Sequence, residues 1–333
     1  MNEPRILVYI NTYNRYDTTL PMAILSIINQ TRKPDKFIIF DDTKEPRDPR
    51  QMEHYLYLLK LLEQKGIPWE YIWAEKKGAH YSHEAANMKG YDLAWFIDDD
   101  CVAEPTCLAE LLAQMKPDVG AVGGLILQPP ASPLPPDAAN KIDNLFTPNI
   151  QWHKWDGPPK QVEHIYSQFL YRCGVVHHDL RLSSVVFRGE TMFTHSLFLK
   201  GYKLIVTPKA IAWHFQTQGG IHDGQKADNW NHDEQVFRNW LAFKKTGKKL
   251  YVLNNGLGDH YMFLQAIKPE PDAIIACCYP EVLEGYNVMS IEDAWKIVDL
   301  KDYDVYRWCG VNGWKGTLIE AFKALYEHIN RTR

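Results

Sequence analysis

Four short apolar runs, each followed by a polar cluster and separated by stretches of helical or loop character, constrain this chain more than any other feature. They occupy residues 5–10, 36–40, 69–73 and 92–97 and are rich in β-branched and aromatic side chains. Runs of this kind, without strict alternation, suit strands buried on both faces of a parallel sheet. Between the first two, residues 18–29 place Leu20, Ile24, Leu25, Ile27 and Ile28 on one helical stripe behind Asp17 or Thr18 as N-cap. Residues 52–65 form a second helical stretch. Strand, helix, strand, helix, strand predicts a doubly wound α/β sheet. Ligands of such sheets gather beyond the carboxyl ends of the strands.

The polar clusters fall at those ends. Thr12, Tyr13, Asn14 and Arg15 follow the first run, Asp41 and Asp42 the second, and Asp98, Asp99 and Asp100 the fourth. All three should meet in one crevice. Three like charges within about 10 Å repel, so the triplet needs a reason. A hard divalent cation with oxygen ligands supplies one; a solvated turn, or Asp100 capping the segment after Pro105, supplies another. Further on, residues 128–159 are proline-rich and exclude long regular elements. They contain Trp152, His153 and Trp155, which fit either an acceptor platform or an ordinary packed loop. Glu190 follows Gly189 at the start of a helical stretch, near the positive end of its dipole, where it can stay ionised and act as a base or simply complete the first turn. His214 closes an aromatic stretch after a strand at 203–207; a lone His there is a ligand or a packed ring.

A length of 333 residues accommodates two domains, one about twice the other. The composition, 45% hydrophobic and 23% charged, is that of an ordinary globular protein. No apolar run approaches the roughly 18 residues of a membrane span, and Glu3 and Pro4 stand where a signal peptide would turn basic and apolar, so a cytoplasmic location is expected. Six cysteines without Cys-x-x-Cys spacing suggest buried thiols, not zinc or disulfides. Net charge is −4 and the basic run at 244–249 reads as a solvated linker, so charge does not favour a nucleic-acid partner.

In this order the motifs resemble the family 2 glycosyltransferases of the GT-A fold, over about residues 4–240. Thr12, Tyr13, Asn14 and Arg15 match the loop after the family's opening strand. Asp41 and Asp42 match the pair that recognises base and ribose, and Asp98 and Asp100, with Asp99 between, match its Asp-x-Asp. Gly189-Glu190-Thr191 corresponds to the Gly-Glu-Asp segment that supplies the catalytic base. The run from Gly201 to His214 matches one whose His joins the metal. Gly219-Gly220-Ile221, with His232, Asp233, Glu234 and Phe237, resembles a tail that closes over the donor. The resemblance implies a GT-A nucleotide-diphospho-sugar transferase fold, a Rossmann-like mixed sheet, at residues 1–245, with a small C-terminal α/β domain at 250–333. It implies a metal-dependent inverting hexosyl- or pentosyltransferase that moves a sugar from a nucleotide-sugar, foremost a UDP-sugar, to a hydroxyl of a glycan, a modified nucleobase or a protein. Glu190 would be the catalytic base. Thr12, Tyr13, Asn14, Arg15, Asp41, Asp42, Asp98 and Asp99 would bind the donor, and Asp98, Asp100 and His214 would hold Mn²⁺ or Mg²⁺, with the motif spacing favouring the outer aspartates. Two departures stand out: Thr191 replaces the second acid, and no Ala-Arg-Asn segment is recognisable between Gly78 and the carboxylates.

The C-terminal piece reads as strands at 250–253, 273–278 and 304–308, a helix running to Ile267 and another at 317–329. Its Gly256-Leu257-Gly258-Asp259-His260 turn resembles the first loop of GT-B enzymes of the heptosyltransferase kind. About 80 residues are too few for a second such enzyme, so an accessory unit for acceptor binding or dimerisation is expected. Two other readings compete for the whole chain. A nucleotidyltransferase would share the sheet and carboxylates but would carry a glycine-rich basic loop where Thr12–Arg15 stand. A catalytically impaired sugar-nucleotide or carbohydrate-binding protein would explain Thr191.

Overall fold

The computed structural model describes residues 3–75, 77–145, 147–216, 220, 227–246, 249–254, 256–270, 273–297 and 304–307, with 317, 320 and 323. The chain divides into two units, Met1–Lys226 and Ala227–Arg333.

The first unit opens with β1 (Ile6–Thr12), α1 (Leu20–Ile28), β2 (Lys36–Asp41), α2 (Glu53–Gln64), β3 (Trp69–Trp73), α3 (Ala79–Asn87) and β4 (Leu93–Asp98). It continues through β5 (Cys101–Ala103), α4 (Cys107–Gln114), β6 (Val119–Leu127), β7 (Lys160–Val162), β8 (Phe169–Arg172), α5 (Gly189–Leu199) and β9 (Lys203–His214). The strands form one mixed sheet in the order β3-β2-β1-β4-β8-β6-β9-β5, with β7 alongside β9. The four apolar runs are its parallel half, and register sets Asn11 beside Asp98 and Thr12 beside Asp41. Both faces are covered, which is why the runs do not alternate. Ile6, Val8, Ile10, Trp95 and Ile97 point into one core with α1, while Leu7, Tyr9, Ala94 and Phe96 point into the other. Each such side chain contributes about 1.5–3 kcal/mol by leaving water.

Several expectations need correction. Helix α1 starts two residues later than 18, its N-cap Thr19 makes no side-chain capping bond, and Pro21 occupies its first turn, where a missing N–H costs nothing. Leu25 is 41% exposed and so lies off the buried stripe. The segment after Pro105 is capped at Thr106, not Asp100, because Asp99 and Asp100 form the tight turn into β5. The strand expected at 203–207 runs on to His214 through Pro208, which cannot donate a ladder hydrogen bond; the pairing of β6 with β9 accordingly breaks register between Gly123 and Leu125. Helix α3 escaped prediction because its buried face is mostly polar: His80, Ser82, His83, Ala86 and Asn87. The proline-rich segment has, as expected, no long element, only a 3-10 turn at Ile150–Trp152 and isolated bridges.

The second unit comprises α6 (Ala227–Thr246), β10 (Lys249–Leu253), α7 (Leu257–Ala266), β11 (Ile274–Cys277), β12 (Val288–Ser290), α8 (Ile291–Ile297) and β13 (Asp304–Arg307). Its sheet is parallel in the order β12-β11-β10-β13. The basic run does not read as a linker along its described residues: 244–246 end α6, and Lys249 opens β10 almost fully buried, its Nζ 2.6 Å from Glu270. The helix expected at 317–329 and residues Gly219, Ile221, Asn255 and Cys309 lie outside the described residues. Among the described residues no helix is long and apolar enough to cross a membrane.

Candidate active site

The site grows from the ends of β1 and β4. The Asp99 carboxylate is gripped by the β1 end: Thr12 Oγ1 donates to its Oδ2 at 2.8 Å and the Tyr13 amide donates at 3.2 Å. Arg15 then spans two carboxylates, with Nε 3.5 Å from Asp99 Oδ1 and NH1 3.0 Å from Asp100 Oδ2. Asp100 Oδ2 also lies 3.3 Å from His214 Nε2. That contact follows from strand pairing, since Cys101 of β5 is opposite His214 of β9 and the Phe215 amide donates to the Asp100 carbonyl. Asp98 leans the other way and accepts a hydrogen bond from Ser167 Oγ.

Burial raises the Asp99 carboxyl to about 7, with repulsion from Asp100 adding to it. Burial and Asp100 push Asp98 upward as well. At His214, burial favours the neutral ring, but the hydrogen bond and charge of Asp100 outweigh it and hold the imidazole above its ordinary value. Asp99 and Asp100 thus share Arg15, and Asp100 also meets His214, while Asp98 stands beside them on Ser167, an acidic balance that suits a divalent cation. The donor set agrees. Ligand atoms of Asp100, Cys101 and His214 lie within 4.8 Å of one another. Cys101 is the weak member, since burial keeps its thiol well above the normal range and a thiol must ionise to ligate. Asp98 is not in that cluster, its carboxylate being turned toward Ser167. The carboxylate suits Mn²⁺ or Mg²⁺, and the imidazole of His214 is the softer donor beside it.

Asp41 and Asp42 sit one strand away and are committed to protein partners. Tyr16 and Tyr71 hydroxyls donate to Asp41 Oδ2 at 2.5 and 2.6 Å, and the Thr43 amide donates to Oδ1 at 3.0 Å. Both oxygens of Asp42 accept from the Gly78 amide at 3.0 Å. Asp41 is wholly buried, so it braces the wall of the crevice. Asn14 is exposed, and its amide donates to Thr43 Oγ1, tying the β1 loop to the β2 loop.

Glu190 stands in the first turn of α5, half-buried. Burial raises its carboxyl to about 8, its own amide pulls it down somewhat, and the charge of Asp98 adds to the rise. The missing second acid leaves a trace: Thr191 Oγ1 is buried with no hydrogen-bond partner. A further buried polar atom without a hydrogen-bond partner, Asn11 Oδ1, belongs to this end of the sheet, beside Asp98. Backbone strain gathers here too. Asn14, Gln168, Val186 and Arg188 all have positive φ, a conformation that costs a non-glycine residue about 1–3 kcal/mol.

Sequence reasoning missed several neighbours of the predicted residues. Ser167 carries no motif. His83, whose ring contacts Tyr9 Oη at 2.9 Å and Asn11 Nδ2 at 3.2 Å, is on the unpredicted helix α3. Gly220 packs on Arg15 so closely that a Cβ would lie 2.3 Å from its NH2, which brings one residue of the predicted closing tail against the site. His232, Asp233, Glu234 and Phe237 lie on α6 in the second unit. Of the aromatic candidates in the proline-rich loop, Trp155 is buried and His153 bonds Ser132, whereas Trp152 is 53% exposed.

Residues 7–160 match the model of glycosyl transferase family 2. No curated protein sequence matches the chain. Among solved structures it is similar to S. aureus TarS residues 1–349, with 14% identity over 63% of this chain and 60% of that one and a TM-score of 0.45. It is similar also to GalNAc-T7 solved with UDP, GalNAc and Mn²⁺, with 14% identity over 72% and 52% and a TM-score of 0.49. A third is the mannosyltransferase PcManGT of Pyrobaculum calidifontis solved with GDP-Man and Mn²⁺, with 14% identity over 73% and 64% and a TM-score of 0.45. The chain spans about three fifths of the TarS 1–349 structure.

Proposed function

We propose that this chain, whose residues 7–160 carry a glycosyl transferase family 2 domain, is a metal-dependent inverting glycosyltransferase that uses a nucleotide-sugar donor, with UDP-sugars foremost. The observation that carries the reading is the junction of Asp98–Asp100 and Arg15, at the carboxyl ends of β1 and β4 and within the segment that matches the family model, with His214 at the end of β9 and with Glu190, whose carboxyl feels the charge of Asp98.

Thr12, Tyr13, Asn14 and Arg15, with Asp41 and Asp42 behind them, would shape the nucleoside side of the crevice, Asp41 acting through Tyr16 and Tyr71. Asp99, tied to Thr12 and Arg15, fixes the carboxylate turn. Asp100 and His214, with Asp98 in reserve across the turn, would hold Mn²⁺ or Mg²⁺. That ion, when bound, supplies Lewis-acid neutralisation of the charge that develops on the departing diphosphate. Arg15 is placed to add positive charge on the same side. Glu190 takes the proton of an acceptor hydroxyl. The acceptor oxygen forms its bond to the anomeric carbon as the bond from that carbon to the diphosphate oxygen breaks. The nucleoside diphosphate leaves with the electron pair, and one displacement inverts the centre. A carboxyl displaced to about 8 is a stronger base once ionised than an ordinary glutamate, and general-base assistance is worth about 10²- to 10⁴-fold.

The test is turnover of a panel of UDP- and GDP-sugars, with and without Mn²⁺, read as nucleoside diphosphate released. Release that needs the metal is the expected result. A full panel without release, in a protein that still binds nucleotide, would leave a binding protein in place of an enzyme.

A further inference from the structure

We propose that Trp152, Tyr166 and Arg188 form the acceptor subsite, and that the acceptor is a carbohydrate whose sugar ring lies against the Trp152 face. The inference rests on the glycosyltransferase reading and adds the class of acceptor.

Hydrogen bonds, ring contact and short steps of backbone connect the carboxylate turn and Glu190 to this surface. Ser167 holds Asp98, and the preceding residue is Tyr166. The Tyr166 hydroxyl lies 3.5 Å from NH1 of Arg188, two residues before Glu190. On its other side the Tyr166 ring meets Trp152, with centroids 5.6 Å apart and planes tilted by 37°. Trp152 is 53% exposed, so much of its ring is open to a ligand.

The turn is anchored. Gln151, wholly buried, donates through Nε2 to the Gly124 carbonyl at 3.2 Å and the Ser167 carbonyl at 3.0 Å, and its Oε1 accepts from the Tyr166 amide at 2.8 Å. Gly123 leaves room for it, since a Cβ there would lie 2.9 Å from Gln151 Nε2. Asn149 Oδ1 caps the turn by accepting from the Gln151 amide at 3.0 Å. One buried glutamine therefore fixes Trp152, Tyr166 and Ser167 together, so the aromatic wall and the Asp98 support move as one body. A platform held this firmly loses little freedom on binding.

The shape selects the ligand. A nucleobase is held best between two ring faces that leave a slot, but these rings touch each other and offer a single slanted wall. One wall suits the apolar face of a pyranose, whose hydroxyls point outward to polar partners. Arg188 supplies the partner. It holds a left-handed backbone conformation (φ 69°) at the N-cap of α5, where glycine would be relaxed, and its guanidinium lies 4.4 Å over the Phe187 ring while facing the Tyr166 hydroxyl, which fixes the fork at the edge of the aromatic wall. Its planar fork suits ring hydroxyls or an acidic substituent of the sugar.

The experiment places the full chain, with UDP and Mn²⁺, on an array of immobilised oligosaccharides that includes uronic-acid and phosphate-bearing members beside peptide and single-stranded nucleic-acid features. Retention on carbohydrate features is expected. Trp152→Ala should weaken it about tenfold, and Trp152→Phe, which keeps an aromatic face, should restore most of it. Trp152 is half-exposed, so neither change threatens the fold. Arg188→Lys should shift the preference among neutral and acidic sugars. Binding confined to peptide or nucleic-acid features, no binding at all, or a Trp152→Ala protein equal to the unaltered chain would each overturn the subsite. Turnover of nucleotide-sugars by the unaltered chain, measured separately, reports on the catalytic reading alone, so the two fail independently.

Discussion

Replacing Glu190 by glutamine should make the protein nearly inactive and more stable at the same time. The side chain keeps its shape and loses its charge. If the carboxylate is the base, transfer falls by about 10²- to 10⁴-fold while nucleotide binding persists. The stability effect follows from the same burial. The carboxyl ionises near 4.5 when unfolded and near 8 when folded, so the folded state binds its proton more tightly. Stability therefore falls as pH rises from about 4.5 to about 8 and is flat beyond, at about 1.4 kcal/mol for each tenfold change in the ionisation equilibrium. A full displacement amounts to about 3 kcal/mol at pH 7; partial exposure of Glu190 trims it to about 1–2 kcal/mol. Glutamine removes that term. Urea unfolding of both proteins, followed by tryptophan fluorescence, should show Glu190→Gln more stable by about 1–2 kcal/mol at pH 7.5 and by less than about 1 kcal/mol at pH 5. A stability difference that does not change between the two pH values, or turnover within threefold of the unaltered enzyme, would refute the reasoning.

Other consequences are equally direct. The rate of transfer should rise with pH toward an inflection at or below about 8 as Glu190 ionises, lower when Mn²⁺ is bound nearby; a profile that falls over that range would contradict its role as base. Asp100→Ala should abolish the metal-dependent part of UDP affinity in calorimetry, because it removes the carboxylate shared by Arg15 and His214, and equal affinities with and without the substitution would count against the metal site. Gly124→Ala should destabilise the first unit by about 1–3 kcal/mol, since a Cβ would sit 2.4 Å from the Ala210 carbonyl oxygen, and an unchanged urea midpoint would be the contrary result. Asp41→Asn should also cost about 1–3 kcal/mol, because the carboxylate accepts from Tyr16, Tyr71 and the Thr43 amide and the new NH2 group must face one of these donors, visible as a lower midpoint and as weaker UDP binding through the loosened loop.

The parallel half of the sheet and its three polar ends were legible because β1, β2 and β4, buried on both faces, announce themselves as nearly unbroken apolar runs, with the half-buried β3 read from its aromatic and β-branched residues. The shorter pieces were not. Strand β5 is three residues long and β8 four, too few to carry a period, yet β5 pairs with the strand that ends in His214 and β8 follows directly from Ser167 and Gln168. The strand expected at 203–207 stops short of Pro208, and β9 passes that proline only by breaking register with β6. Helix α3 hid behind a polar buried face whose partners, such as the Val176 carbonyl and Gly174 amide bonded by Asn87, come from 89 and 87 residues away. Among the site residues, the motif spacing pointed to Asp98 and Asp100 as a pair. The central Asp99 makes the bonds to Thr12, Tyr13 and Arg15, because a tight turn rather than an extended strand carries it. Tyr166 and Ser167 gained their roles only from tertiary contacts.

The antiparallel pairing of Cys101 with His214 makes the distance between the Asp100 and His214 side chains a matter of counting. Substitution along β5 or the last turn of β9 changes chemistry one position at a time, but loss or gain of a single residue between Ala210 and Trp213 would turn His214 to the opposite face of the sheet and present its neighbour to Asp100 instead. The segment works as a caliper, so variation among sequences that keep this site should take the form of exchanged residues there, with changes of length confined to the loops outside it.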